Sequence, residues 1–248
     1  MNNNLQINNV YFITVATKPH NVLNVLKQNI ELKGDTLEVL GLKDKPYNIG
    51  QDIPGSRILG LKLQEVYKFI NTKNDNDVIV FMDAFDVYYS GDKLTLLKRY
   101  KEMNKPIVFG AEPSCYPDGD KAQYYPKTNS YFRFLNSGLF IGRVKELKEC
   151  MNNYSHEFID EINDQLWWTN KFLERQDIIE LDYNQHLFLN CVWLQDSELI
   201  CNEGIVTFRD KTPLIIHGNG PSKNCIIPLL EYFRKTHMND ITITNWWE

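Results

Sequence analysis

Short runs of β-branched and aromatic residues alternate along the chain with stretches whose apolar positions recur every three or four residues, the pattern of strands alternating with helices. Residues 10–15 (Val-Tyr-Phe-Ile-Thr-Val) read as a buried strand that breaks at Ala16-Thr17-Lys18-Pro19. Val22, Val25 and Leu26 then sit at helical spacing within 21–29, and residues 37–42 form a second strand. Strand, helix, strand in this order opens a parallel α/β sheet, because parallel neighbours need a long crossover.

Residues 46–60, with Gly50, Pro54, Gly55 and Gly60, predict a loop, and Leu63, Val66, Phe69 and Ile70 mark an amphipathic helix over 61–70. After a polar turn at 71–77 comes the most apolar strand of the first half, Val78–Met82, which runs straight into Asp83-Ala84-Phe85-Asp86. A helix over Lys93–Met103 and a strand over 107–109 follow. Residues 116–133 carry Pro, Gly, Asp, Lys and five aromatics without periodicity, which predicts a long functional loop. A short strand at 140–142, a long helix over 144–162, an acidic and aromatic stretch over 160–172 and a late strand over 214–216 complete the pattern. The expected fold class is α/β, a mostly parallel twisted sheet flanked by helices, in one domain over 1–248, since no repeat, low-complexity tract or linker interrupts the chain.

Composition narrows the function. With 248 residues, 43% hydrophobic and 24% charged, the chain is long enough for one sizeable core and unlike disordered or fibrous sequences. The net charge of -5, with both signs interspersed, lacks the basic footprint of a nucleic-acid binder, although one or two Lys or Arg suffice for a phosphate. No segment approaches the ~20 apolar residues of a membrane span, and the opening Met1-Asn2-Asn3-Asn4 does not resemble a signal peptide, so no membrane partner is expected. Five cysteines without a CxxC pair read as free thiols in a reducing environment, the cytoplasm before the endoplasmic reticulum lumen.

Two constellations carry chemistry. Asp83-x-x-Asp86 puts two carboxylates at the carboxyl end of an apolar strand, where open α/β sheets place ligands; such carboxylates are costly there unless paired, which favours a hard cation over solvated turn residues. His217-Gly218-Asn219-Gly220-Pro221-x-Lys223 adds an imidazole at a second strand end, glycines that let backbone approach a phosphate, and a positive charge. Two Asp and one His suit Mn²⁺ better than Mg²⁺.

Read together, these pieces and several others form a family pattern. Thr14-Val15-Ala16-Thr17-Lys18, Asp83-x-x-Asp86, Phe109-x-Ala111-Glu112 with Cys115-Tyr116-Pro117-Asp118, Phe134-Leu135-Asn136-Ser137-Gly138, Phe140-Ile141-Gly142, Asp164-Gln165 and His217-Gly218-Asn219-Gly220-Pro221, in this order, resemble the glycosyltransferase domain of the procollagen lysyl hydroxylases and the related collagen glycosyltransferases. The resemblance implies a GT-A (Rossmann-like) fold in which Asp83, Asp86 and His217 bind Mn²⁺ and the metal binds the diphosphate of a UDP-sugar. It implies Thr14 at the uracil or ribose, Phe85 near the nucleoside where relatives carry Tyr, and Lys223 with the backbone of Gly218, Asn219 and Gly220 facing the phosphates. A basic residue before the helix at Leu63 also belongs to the site: Lys62, with Arg57 as the alternative.

On the sugar side the resemblance implies Asp164, Gln165 and Asn136 as catalytic candidates. Asn163 stands where an Asp is expected, a departure from the family's acidic run, and Asp160 and Glu161 fit an acidic helix end. Asp182 is an acceptor-side group or a turn cap. Tyr116, where relatives can have Trp, covers the sugar or anchors its loop, while Trp167 and Trp168 read as core. The implied reaction is transfer of glucose from UDP-glucose to galactosyl-hydroxylysine in a collagen-like polypeptide. A UDP-galactose:hydroxylysine galactosyltransferase is the alternative, and an idle UDP-binding module, suggested by Asn163, is the alternative outside catalysis. The oligomeric state is open, a homodimer included.

Overall fold

The computed structural model describes residues 6–42, 56–152, 154, 163–195, 198–238 and 243–248, with the side chains of 56–59 excepted. In chain order the elements are β1 (Val10–Val15), α1 (Asn21–Leu32), β2 (Leu37–Leu40), α2 (Ser56–Ile70), β3 (Val78–Met82), β4 (Val87–Tyr89), α3 (Lys93–Met103), β5 (Ile107–Glu112), β6 (Phe134–Arg143), α4 (Val144–Met151), α5 (Asp164–Glu174), β7 (Ile179–Asp182), β8 (Phe188–Asn190), β9 (Leu199–Asn202), β10 (Ile205–Phe208), β11 (Ile215–His217) and α6 (Ile227–His237).

Six strands form the main sheet in the order β2-β1-β3-β6-β5-β7. β2, β1 and β3 run parallel, β5 and β7 run parallel, and β6 is inserted antiparallel between β3 and β5. Because side chains alternate across a strand, Ile79 and Phe81 of β3 enter one apolar cluster with Val66 and Ile70 of α2 and Trp168 and Phe172 of α5, while Val78, Val80 and Met82 enter another with Leu26 of α1 and Leu96 and Tyr100 of α3. The sheet is thus covered on both faces, which is why its central strands are continuously apolar. The expected α/β class with a mostly parallel sheet is the observed one, and none of the described helices is long and apolar enough to cross a membrane.

A second sheet has three strands in the order β4-β11-β8, with β11 antiparallel to β4 and parallel to β8. Its register sets His217 opposite Val87 and Asn190. β4 begins one residue past Asp86, so one turn joins the apolar strand carrying the two aspartates to the sheet carrying the histidine.

Several boundaries differ from expectation. Helix α2 starts at Ser56, so Lys62 lies within it rather than before it, and the expected loop otherwise falls at 43–55, outside the described residues. Gly60 is buried inside α2, its carbonyl accepting from Tyr154 Oη at 3.5 Å, so packing overrides a glycine penalty of only about 1 kcal/mol. β6 is ten residues long, not three, because the polar Asn136 and Ser137 inside it find partners in the site described below. The expected long helix is α4, ending at Met151; Asp160 and Glu161 lie outside the described residues. The 116–133 segment is irregular apart from a 3-10 turn at Gly119–Tyr124, and the Arg133 guanidinium ties it by donating to the carbonyls of Ala122, Tyr125 and Pro126.

Of the two roles considered for Asp182, the structure gives it the turn cap. It is fully buried at the end of β7; Oδ1 accepts from His186 N at 2.8 Å and Oδ2 from Leu187 N and Phe188 N at 2.6 and 2.9 Å. Burial raises its pKa and the three backbone amides oppose that rise. Replacing Asp182 with Ala strands those amides and is expected to cost about 3 kcal/mol of stability. A denaturant midpoint unchanged in Asp182→Ala would contradict the cap.

Candidate active site

β3 and β11 converge on one point. Asp83 N donates to Gly138 O at 2.9 Å, and Gly218 N donates to Asp86 O at 2.8 Å, which fixes the turn 83–86 against both β6 and the end of β11. One ligand atom from each of Asp83, Asp86 and His217 lies within 4.8 Å of the others. His217 Nε2 is 3.3 Å from Asp86 Oδ1 and 3.6 Å from Asp83 Oδ2.

The orientation of the imidazole is determined by a relay. Asn190 Nδ2 donates to Ala111 O at 3.0 Å, which turns Asn190 Oδ1 toward His217 Nδ1, 2.8 Å away. An amide oxygen only accepts, so Nδ1 carries the proton donated to it and Nε2 faces the carboxylates, the arrangement that hydrogen-bond partners behind the ring impose on metal-binding histidines. Burial disfavours the imidazolium, but Asp86 and Asp83 outweigh it and place the His217 pKa above the usual value. Burial pushes Asp86 up, and His217, Lys223 and Lys62 together bring it below the usual carboxylate value. The pocket therefore favours positive charge at the position the three side chains surround.

Backbone geometry fits a metal as well. A Cβ added to Gly138 would stand 2.3 Å from His217 Cε1 and 2.8 Å from Asp83 Oδ2, so any side chain there would have to push the His217 ring and the Asp83 carboxylate out of place. Two carboxylates and an imidazole, with room for further ligands on the cavity side, suit a divalent transition ion such as Mn²⁺.

Beside the triad lies a cavity of about 350 Å³. Lys62 Nζ reaches into it from α2, 2.7 Å from Asp83 Oδ1 and 3.6 Å from Asp164 Oδ2. Burial works against the ammonium, yet Asp164 and Asp83 hold its pKa above the ordinary lysine value. Asp164 opens α5 and is buried; Ser137 Oγ donates to its Oδ2 at 2.8 Å. Burial raises the Asp164 pKa against the pull of Lys62. Asn163, in place of the expected acid, is the N-cap of α5, its Oδ1 accepting from Leu166 N at 3.0 Å, a role Asn and Asp fill about equally.

At the floor sits Glu112, the last residue of β5, 3% exposed. Its Oε1 accepts from Gln165 Nε2 at 2.7 Å, and its Oε2 accepts from Asn136 Nδ2 at 3.1 Å and Asn219 Nδ2 at 2.6 Å. Burial lifts its pKa to about 7 despite these three amide donors. Gln165 also donates to Tyr116 O at 3.1 Å, tying the 116–133 loop to the same network.

The structure thus brings Asp83, Asp86, His217, Lys62, Asn136, Asp164, Gln165, Asn219 and Gly220 to one cavity. Asn219 points at Glu112 and, through Oδ1, accepts from Val192 N at 2.9 Å, so its side chain braces the cavity wall. Gly218 packs against the Lys223 backbone so closely that a Cβ there would stand 3.0 Å from Lys223 Cα, and Lys223 is exposed with Nζ 5.8 Å above the Trp247 ring. Phe85 lies outside the cavity lining, half-buried against His20 with ring centroids 4.7 Å apart. Thr14 is fully buried, its Oγ1 without a partner among the described residues. Asp182 caps its turn elsewhere, and the Arg57 side chain is outside the described residues. Glu112, Asn190 and Trp193 were not among the sequence-derived candidates; of these, Glu112 alone had a signal, a carboxylate closing an apolar strand as Asp83 does.

Comparison with known proteins bears on the family and the fold. A family model described as PLOD GT domain matches residues 6–242. A Caenorhabditis elegans multifunctional procollagen lysine hydroxylase and glycosyltransferase is 35% identical over 226 residues, which are 86% of this chain and 30% of that protein. Bos taurus procollagen-lysine,2-oxoglutarate 5-dioxygenase 1 is 33% identical over 229 residues, 87% of this chain and 30% of the relative. The chain therefore spans about 30% of the length of these relatives. Among solved structures, a glycosyltransferase involved in glycosylation of the major capsid of PBCV-1 shares the fold with a TM-score of 0.53 at 10% identity, covering 92% of this chain and 100% of that one.

Because a methyl group at position 138 would collide with two of the three ligands, Gly138→Ala is expected to weaken Mn²⁺ binding ~10–100-fold while leaving the fold in place. Calorimetric titration of wild type and variant with Mn²⁺ checks this; equal affinities would remove the triad as the metal site.

Proposed function

This chain belongs to the PLOD GT domain family, and we propose that it is a metal-dependent glycosyltransferase of one GT-A domain over 1–248 that moves a sugar from a UDP-sugar to an acceptor. The observation that carries the proposal is the Asp83, Asp86 and His217 triad opening onto the same cavity as the Lys62 and Asp164 pair.

Mn²⁺ held by the triad would neutralise charge on the departing diphosphate. The side chains of this chain do the rest. Lys62, already between Asp83 and Asp164, supplies a second positive charge at the edge of the metal site. Asp164, oriented by Ser137, and Gln165 with Asn136, held on Glu112, present hydrogen-bonding groups to sugar hydroxyls from rigid supports. Phe85 and Thr14 are assigned to the nucleoside side, and Gly218, Asn219, Gly220 and Lys223 to the diphosphate. The proximity of Lys223 to Asp86, felt in the latter's pKa, supports that assignment.

For the substrates we carry over what the relatives' names state, procollagen lysine hydroxylation and glycosylation. The donor is UDP-glucose and the acceptor galactosyl-hydroxylysine in a collagen-like polypeptide, with UDP-galactose and hydroxylysine as the second reading. The idle-module reading loses its main support, since Asn163 caps a helix and Asp164 remains as a carboxylate in the cavity.

UDP release from UDP-glucose and UDP-galactose, with each acceptor and with or without Mn²⁺, tests the proposal. Asp164→Asn should lower turnover by about 2–4 kcal/mol of barrier with UDP affinity unchanged. Turnover of that variant within a few-fold of wild type at saturating substrates would take the sugar-positioning role from Asp164. UDP binding without any release in wild type would favour the idle module.

A further inference from the structure

Trp193 is the one tryptophan of the five that is exposed, at 62%, and it lines the cavity beside the metal triad. Trp168 and Trp246 are buried, and Trp167 and Trp247 are half-buried. Its backbone is left-handed, φ 64°, a region that a bulky L-residue enters at a cost of about 1–2 kcal/mol. Two unfavourable features, a strained backbone and a large apolar ring in water, meet in one residue, and among the described residues the ring belongs to neither apolar cluster.

The segment bearing it is fastened to the metal site. Cys191 N donates to His217 O at 2.9 Å, Val192 N to Asn219 Oδ1 at 2.9 Å, and Leu194 N closes the turn on Cys191 O at 3.0 Å. Asn190, immediately before, holds the His217 imidazole. The backbone that carries the indole is therefore fixed relative to the reaction centre, although the ring itself stands in solvent. Tyr116, 61% exposed, lines the same cavity from the loop held by Gln165.

The chemistry of the cavity identifies what such a ring would meet. Among the described residues its carboxylates are engaged, Asp83 and Asp86 in the triad, Asp164 by Lys62 and Ser137, and Glu112 by three amides, so they are occupied within the site itself. The exposed lining residues are Tyr116, Trp193, Gly220 and Pro221, so most of the side-chain surface turned to solvent is aromatic, with the half-buried polar Ser114 and Asn163 also in the lining. A flat π face next to hydroxyl-binding groups matches the C–H face of a pyranose. We infer that Trp193 is the stacking platform for the sugar ring of the acceptor, so that the acceptor is an already glycosylated group rather than an unmodified side chain. This rests on the glycosyltransferase reading above and selects between its two acceptors.

Trp193→Gly removes the ring and relieves the backbone strain, so folding is not at risk; Trp193→Phe keeps an aromatic face. The glycine variant is expected to raise KM for galactosyl-hydroxylysine ~10-fold, the phenylalanine variant to recover most of it, and the affinity for UDP with Mn²⁺ to stay unchanged in both. An unchanged acceptor KM in Trp193→Gly, or a KM rise matched by an equal loss of UDP affinity, overturns the inference. A separate arm follows tryptophan emission of the folded chain on titration with methyl β-galactoside, which needs no turnover. Emission that shifts in wild type and not in Trp193→Phe supports the platform even if no transfer is detected, in which case the transferase reading alone fails. Emission unmoved in wild type, or a response to hydroxylysine in preference to the galactoside, overturns it.

Discussion

Four carboxylates meet in a largely buried space at the carboxyl ends of β3 and β5 and the start of α5, and the site exists because each is compensated. Asp83 and Asp86 share His217, Asp83 and Asp164 share Lys62, and Glu112 takes three side-chain amides. Removing water from such groups costs several kcal/mol each unless the partners are in place. This requirement explains features otherwise unrelated: an antiparallel β6 carrying Asn136 and Ser137 through the middle of the sheet, a glycine where that strand passes the ligands, and a lysine buried in a helix. A divalent ion would replace part of this internal compensation, since it supplies at the triad the positive charge that His217 and Lys62 otherwise provide.

What the sequence disclosed were features written in contiguous residues. Val78–Met82 is apolar without interruption and ends on Asp83, and the run ending at His217 repeats the pattern, so two strand-end ligand groups could be read locally. Their meeting is a matter of the β4-β11-β8 sheet, whose strands of three residues carry too little periodicity to predict. Lys62 came only with the family resemblance, and its place inside α2 was hidden because Gly60 reads as a helix breaker until the packing around it is known.

Glu112 and Asn190, both missed, share one property, long sequence separation. Glu112 is defined by partners 24, 53 and 107 positions away, and Asn190 by partners 27 and 79 positions away. No local pattern encodes such networks. Asn136-Ser137-Gly138 lay outside the short strand expected at 140–142, and is instead the part of the ten-residue β6 that faces the site. Asp182 shows the same limit, for a buried carboxylate at a strand end has equal claim to a catalytic and a capping role until its oxygens are seen to hold the 186–188 backbone.

Metal, diphosphate and triad are coupled if they share one site, and that coupling can be measured without any acceptor. Calorimetric titration of the chain with Mn²⁺ in the absence and presence of UDP, and with UDP in the absence and presence of Mn²⁺, gives two affinity ratios. They are expected to exceed ~10-fold and to be equal, because a coupling free energy between two ligands is reciprocal. Ratios of one in both directions, with Mn²⁺ and UDP binding independently, would contradict a metal site at Asp83, Asp86 and His217 that receives the nucleotide's diphosphate.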